Sequence, residues 1–223
     1  LHHSCFSGVL KNMKFLLENG AFVDDTSNSG QTPLHIRVDD LETTKILLEN
    51  GAFVDAADEE GRTPLHKANT PKAVELLLDF GAYIDAQNEK GLTPLSELFG
   101  DEQDPNWFVP LKSLLIKRGA NIESKTENGQ TILHFSNMSI SKLLIEKGVN
   151  MESRDEFGLT PLHTTILRGE YILGLRTQKS KIKLLLENGA DVNSITNDGR
   201  TVRELTTDDK IIQILDKAIR LQQ

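Results

Sequence analysis

The 223-residue chain contains one cysteine, Cys5, so no intrachain disulfide can brace it. A lone thiol of this kind reads as a small buried apolar residue, and the absence of disulfides suits a reducing, cytoplasmic compartment. Aromatic residues make up only 5% of the chain, with a single tryptophan, so rings recurring at fixed positions carry information. No apolar run approaches the roughly 18 residues of a membrane span, and no secretory leader is visible, so we expect no membrane insertion. The chain also lacks a glycine-rich phosphate loop, a Cys-x-x-Cys pair, a His-Glu-x-x-His helix and a Gly-x-Ser-x-Gly elbow. Carboxylate pairs such as Glu59-Glu60 sit in turn segments, without the apolar setting that raises an acid's pKa for proton transfer. We therefore expect neither catalysis nor a cofactor.

What the chain does contain is repetition. Thr-Pro-Leu-His occurs at Thr32–His35, Thr63–His66 and Thr160–His163, with degenerate copies at Thr93–Ser96 and Thr131–His134 and a cut-off copy at Leu1-His2. Each is followed at a distance by a Leu-Leu block closing on glycine, at Gly20, Gly51, Gly81, Gly119, Gly148 and Gly189. A period near 30 residues denotes stacked supersecondary units, none of which can bury its apolar face alone. The threonines suit helix N-caps and the prolines suit the first helical turn, where no N–H is needed. The block glycines suit left-handed helix ends, and a second series, Gly30, Gly61, Gly91, Gly129, Gly158 and Gly199, closes a turn before each threonine.

These motifs resemble ankyrin repeats, each a β-turn finger plus two antiparallel helices, and the resemblance covers essentially the whole chain. It implies an all-α solenoid with β-turn fingers, in six to seven units of irregular length with a C-terminal cap. We read residues 1–223 as one domain, with units at 1–30 (partial), 31–61, 62–91, 92–129, 130–158, 159–199 and a capping unit at 200–223. The resemblance further implies a non-enzymatic protein that binds a protein partner through its fingers and concave face. It assigns the motif histidines His2, His35, His66, His134 and His163 to bridging neighbouring fingers, not to metal binding. Asp24, Asp55, Asp85, Glu123 and Glu152 fall in the column that braces the turn. Asn193 fits the finger position at which ankyrin proteins resemble targets of asparaginyl hydroxylation. The alternative reading is a targeting or regulatory arm of a larger protein, such as a pathogen effector or an enzyme. The chain starts inside a repeat, so we expect further repeats before Leu1, and we expect a monomer in isolation.

Charge and length are unevenly distributed. The six finger segments hold 15 acids and 3 bases, whereas the remaining residues hold 18 acids and 22 bases, within a net charge of −8. Acidic fingers should repel nucleic acid and attract a partner with a basic patch. Successive block glycines are 31, 30, 38, 29 and 41 residues apart, and the finger glycines keep the same intervals, so length varies only within the helical part of each unit. Asp39 with Glu42, Thr70 before Pro71, and Ser139 are expected to start the outer helices of the short units. The two long units carry insertions at 101–110 and 168–179, expected as loops, the first with Trp107 and Phe108 as candidate anchors.

One column departs from ankyrin usage. The residue after Gly-Ala, normally polar, reads Phe22, Phe53 and Tyr83 in the first three units. At a stacking distance of roughly 10 Å these rings would form a stripe, either contacting a partner or lying on the neighbouring finger. Phe157 is a lone aromatic at a finger tip. The candidate partner contacts are therefore Phe22, Phe53, Tyr83, Asp58, Glu59, Glu60, Trp107, Phe108, Asp155, Glu156 and Phe157. Residues 208–223 have helical periodicity in Ile211, Ile212, Leu215 and Ile219, and are expected to form a cap with a polar outer face.

Overall fold

The computed structural model describes residues 10–98, 109–172 and 175–222. Among these, pairs of antiparallel helices alternate with turn-shaped fingers, and the only β pairings are two isolated bridges, Lys125 with Thr131 and Ile195 with Thr201. The helices are α1 (Leu10–Glu18), α2 (Pro33–Arg37), α3 (Leu41–Glu49), α4 (Pro64–Lys67), α5 (Pro71–Asp79), α6 (Pro94–Glu97) and α7 (Val109–Lys117). They continue as α8 (Ile132–Phe135), α9 (Met138–Glu146), α10 (Pro161–Ile172) and α11 (Leu175–Glu187), then a 3-10 turn (Val202–Leu205) and α12 (Asp209–Gln222). Packing groups the chain into two compact units. One comprises 1–98 with 110–120 and the other 99–109 with 121–223. Their cores draw on the same repeat positions: Leu34, Leu47, Leu65, Leu77 and Leu95 in the first, and Leu133, Leu144, Leu162, Leu185 and Leu215 in the second, all nearly or fully buried. Each fully buried leucine contributes about 1.5–3 kcal/mol.

The motif histidine sets the stacking. Thr32 N–H donates to His35 Nδ1 at 3.2 Å, closing a capping box at the start of α2. Because Nδ1 accepts, the imidazole proton resides on Nε2, which donates to the Arg62 carbonyl of the next finger at 2.8 Å. His66 repeats the arrangement to the Leu92 carbonyl at 3.1 Å, and His134 to the Leu159 carbonyl at 3.0 Å. His163 keeps the bond to Thr160 N–H, but its buried Nε2 has no partner among the described residues. In the fourth repeat Ser96 replaces histidine and bonds within its own turn to Thr93.

Length variation falls on the inner helices and on one outer helix, α11, which runs to thirteen residues. The outer helices α1, α3, α5, α7 and α9 are each nine residues long, whereas the inner helices range from four residues in α4, α6 and α8 to twelve in α10. The second insertion, expected as a loop, instead extends α10 to Ile172 and supplies the start of α11 from Leu175. The first insertion lies outside the described residues except for its last two positions, which begin α7. Two outer-helix starts also differ from expectation. The N-cap of α3 is Asp40, which accepts from Thr43 N–H, while Asp39 faces the next repeat and accepts from the N–H groups of Asn69 and Thr70. The N-cap of α9 is Asn137, which accepts from Ile140 N–H at 3.0 Å, and Ser139 lies inside the helix. Thr70 caps α5 as the sequence suggests, accepting from Ala73 N–H.

Trimming an inner helix to one turn leaves terminal carbonyls without helical partners. In α8 they are met from the next repeat. Lys181, on α11, donates from Nζ to the carbonyls of Leu133 at 3.2 Å and Ser136 at 2.6 Å. Its side chain is essentially fully buried, and that burial pushes its ammonium down from 10.5 to about 7.

Both kinds of buried base make the fold pH-sensitive, in different windows. Burial is the first cause lowering His35, His66, His134 and His163 below the ordinary 6.5. Just below pH 6.5 the unfolded chain binds protons that the folded chain refuses, so stability is full above that pH and lost as pH falls. We expect the melting temperature to drop between pH 7 and pH 5, with a shallower slope in His66→Gln; equal slopes in the two proteins would contradict the assignment. For Lys181 the window lies between about 7 and 10.5, where the unfolded chain keeps a proton that the folded chain has released, so stability rises with pH. The difference in melting temperature between wild type and Lys181→Met should therefore move in the wild type's favour from pH 7 to about pH 9.5, as thermal melts across that range will read.

Candidate partner-binding surface

The fingers are near-copies of one another because the same short-range bonds recur. In the second, Asp58 N–H donates to the Arg62 carbonyl at 2.9 Å and Gly61 N–H donates back to the Asp58 carbonyl at 2.9 Å. Equivalent pairs close the other five, from Ser27 with Gln31 to Thr196 with Arg200. Gly61 has φ +72°, and a Cβ there would lie 2.8 Å from Glu89 N of the next finger, so glycine is required for both conformation and close approach. That approach is a bond: Glu89 N–H donates to the Glu60 carbonyl at 3.0 Å, as Glu59 N–H does to Ser29 at 3.2 Å.

The aromatic column is placed by a second tie. Both Asp24 oxygens lie 3.1 Å from Phe53 N, and the Asp55 oxygens lie 3.0 and 3.2 Å from Tyr83 N. Glu123 and Glu152 brace Asn150 N–H and Asp191 N–H in the same way, at 2.6 and 2.9 Å. The backbone at Phe53 and at Tyr83 is thus pinned to the preceding finger while the ring is left outside: Phe22 is 77% exposed, Phe53 61% and Tyr83 63%. Phe15, in the last turn of α1, and Phe80, which ends α5, are also exposed large rings. Sequence reading missed both. The signal was available for Phe80, which occupies the position filled by Asn19, Asn50 and Asn188 in other repeats.

The candidate acids separate into two groups. Asp58 is buried: one oxygen accepts from Glu60 N–H and Arg62 N–H, the other from the Arg62 guanidinium. Burial alone would push its carboxyl up, but the bonds from Arg62 and from Glu60 N–H together hold it below the usual range. Asp155 is likewise buried, accepting from Phe157 N–H, Leu159 N–H and the Gln130 side-chain amide. These two carboxylates face inward and shape the turn, contrary to the expectation of exposed contact residues. Glu59, Glu60 and Glu156 face solvent, Glu60 with an ion pair to Arg62 at 2.8 Å. Phe157 is 62% exposed at its tip, and its carbonyl is held by Asn197 N–H at 3.0 Å. Trp107 and Phe108 lie outside the described residues. Asn193 is exposed on the last finger. Among the described residues no cluster of three or more His, Cys, Asp or Glu side chains is arranged to hold a metal ion, and no helix is long and apolar enough to cross a membrane.

The repeat architecture and its ties define an ankyrin-repeat domain. The ankyrin repeats (3 copies) family model matches residues 1–88 and 108–196, and the chain belongs to that family. It is similar to the crystal structure of the ankyrin repeat domain of Bcl-3, described as a unique member of the IkappaB protein family, with 25% identity, 96% of each chain covered and a TM-score of 0.80. It is also similar to the human ASB11 ankyrin repeat domain, with 25% identity, 97% and 96% of the two chains covered and a TM-score of 0.73. An ankyrin repeat domain from Acinetobacter baumannii AYE shares 27% identity over 83% of this chain and 97% of that one, with a TM-score of 0.72. A comparison with curated proteins finds no match.

The division of the acids is testable by stability. Asp58→Ala removes the acceptor for two backbone N–H groups and leaves Arg62 without its buried partner, and should cost about 2–3 kcal/mol in denaturant unfolding. Glu59→Ala, on the same turn but facing water, should stay within about 0.5 kcal/mol of wild type.

Proposed function

We propose that this chain is a non-enzymatic binding module whose protein partner docks on the aromatic column and the outward-facing acids of the fingers. The observation carrying the proposal is the set of three rings, Phe22, Phe53 and Tyr83, at one repeat position and each more than 60% exposed. Ankyrin repeats are generally protein–protein interaction modules, and exposed apolar stripes denote contact surfaces. Aromatic side chains supply much of the affinity at such surfaces at low conformational cost. Glu59, Glu60 and Glu89 lie on finger turns of the same compact unit and favour a partner with a basic patch, raising its association rate. Phe157 with Glu156 offers a second, smaller contact of the same chemistry. A cytoplasmic setting fits the near absence of cysteine.

The proposal is tested by comparing wild type with Phe22→Asp/Phe53→Asp/Tyr83→Asp, first shown to be folded by circular dichroism, in an affinity capture read by mass spectrometry. We expect a partner enriched on wild type and lost from the variant. A partner held equally by both would remove the column from the interface.

A further inference from the structure

Away from the fingers, α11 and α12 leave a crevice of about 410 Å³ between them. Its apolar lining includes Leu186 of α11 and Ile214, Ala218 and Leu221 of α12. Leu221 is 76% exposed, so this surface of α12 is not wholly polar. Three lysines stand around the apolar floor: Lys183 on α11, and Lys210 and Lys217 on α12. All three are exposed, and none of their ammonium groups makes an ion pair or hydrogen bond among the described residues. Only one acid, Glu187, shares the crevice. A local excess of two positive charges over an apolar floor is out of character for a protein of net charge −8. By contrast, Lys179 and Arg203, on the same two-helix region, are neutralised by Asp208 and Asp216 at 3.2 and 2.7 Å.

We propose that this crevice is a second docking site, for an acidic amphipathic helix of a partner protein. The apolar floor takes residues spaced i, i+3/i+4 and i+7 on one face of the incoming helix. The three free lysines take carboxylates flanking that face, and their charge excludes basic segments. The helices forming the walls are 13 and 14 residues long, or about 20 Å, so an occupant of three to four turns spans the site. The site has the opposite charge preference to the acidic fingers, so it selects a different segment and stands whether or not the fingers bind a partner.

The test is selection from a displayed library of 16-residue helix-forming peptides against the whole chain. We expect enriched peptides to be acidic with apolar residues on one face. They should bind at least ten-fold more weakly to Lys183→Gln/Lys210→Gln/Lys217→Gln and to Leu221→Asp, more weakly at high salt, and unchanged to the Phe22/Phe53/Tyr83 variant. The lysines are exposed, so the glutamine variant should keep the wild-type melting temperature, and it guards against loss by misfolding. Enrichment of neutral or basic peptides, equal binding to the glutamine variant, or no enrichment would overturn the proposal. Sedimentation supplies the remaining outcome: self-association abolished by the glutamine variant would overturn it in favour of a second copy of the chain.

Discussion

The interaction that organises three of the repeat junctions is a hydrogen bond that joins one repeat to the next through a neutral imidazole. His35, His66 and His134 accept from their own capping threonine on one nitrogen and donate to the next finger's carbonyl on the other. The ring thus closes a helix start and fixes inter-repeat register in a single step. It requires a neutral side chain in a buried place, which burial itself enforces. Because the tie is local to the finger and the first helical turn, it is indifferent to the length of the rest of the unit. Inner helices that carry the tie run to only four or five residues, and the finger turns keep the same bonding pattern there and beside the twelve-residue α10, whose His163 lacks the inter-repeat bond among the described residues.

That indifference has a cost at the trimmed helices, and different repeats meet it differently. In α8, a lysine from the adjoining repeat reaches in to cap carbonyls that a longer helix would have satisfied itself. Near α2, Asp39 crosses to the Asn69–Thr70 backbone. Both devices place polar groups between repeats; at the buried Lys181 an unpaired carbonyl would cost about 1–3 kcal/mol, whereas Asp39 and Asn69 are exposed. The aromatic column is the counterpart on the outside. The Asp24 and Asp55 carboxylates fix the backbone, so the side chain next after Gly-Ala has no structural duty and is free to be a ring.

The repeat, the finger glycines, the threonine caps and the bracing acids were legible in the sequence because each arises from a local requirement with a fixed spacing. The failures arose where a side chain had two plausible partners. Asp39 and Asp40 both look like N-caps, and only the geometry between repeats sends one to the next unit. Asp58 and Asp155 look like surface acids in an acidic turn, yet the turn folds backbone N–H groups over them. The second insertion is expected as a loop because insertions in repeat proteins map to loops, but its ends continue the flanking helices. The crevice beside Leu221 was invisible, since it arises from how two helices pack and not from any motif.

The central claim is that Phe53 and Tyr83 are held out by the finger ties and that these two rings and Phe22 support no part of the stack. Its most direct test is a double-mutant cycle on stability with Phe22→Ser, Phe53→Ser and the pair, by denaturant unfolding. The account predicts that each single change stays within about 0.5 kcal/mol of wild type and that the two add to within the same margin. A loss of about 1 kcal/mol or more from either single change, or a coupling of that size, would show the rings packing into the stack and would contradict it.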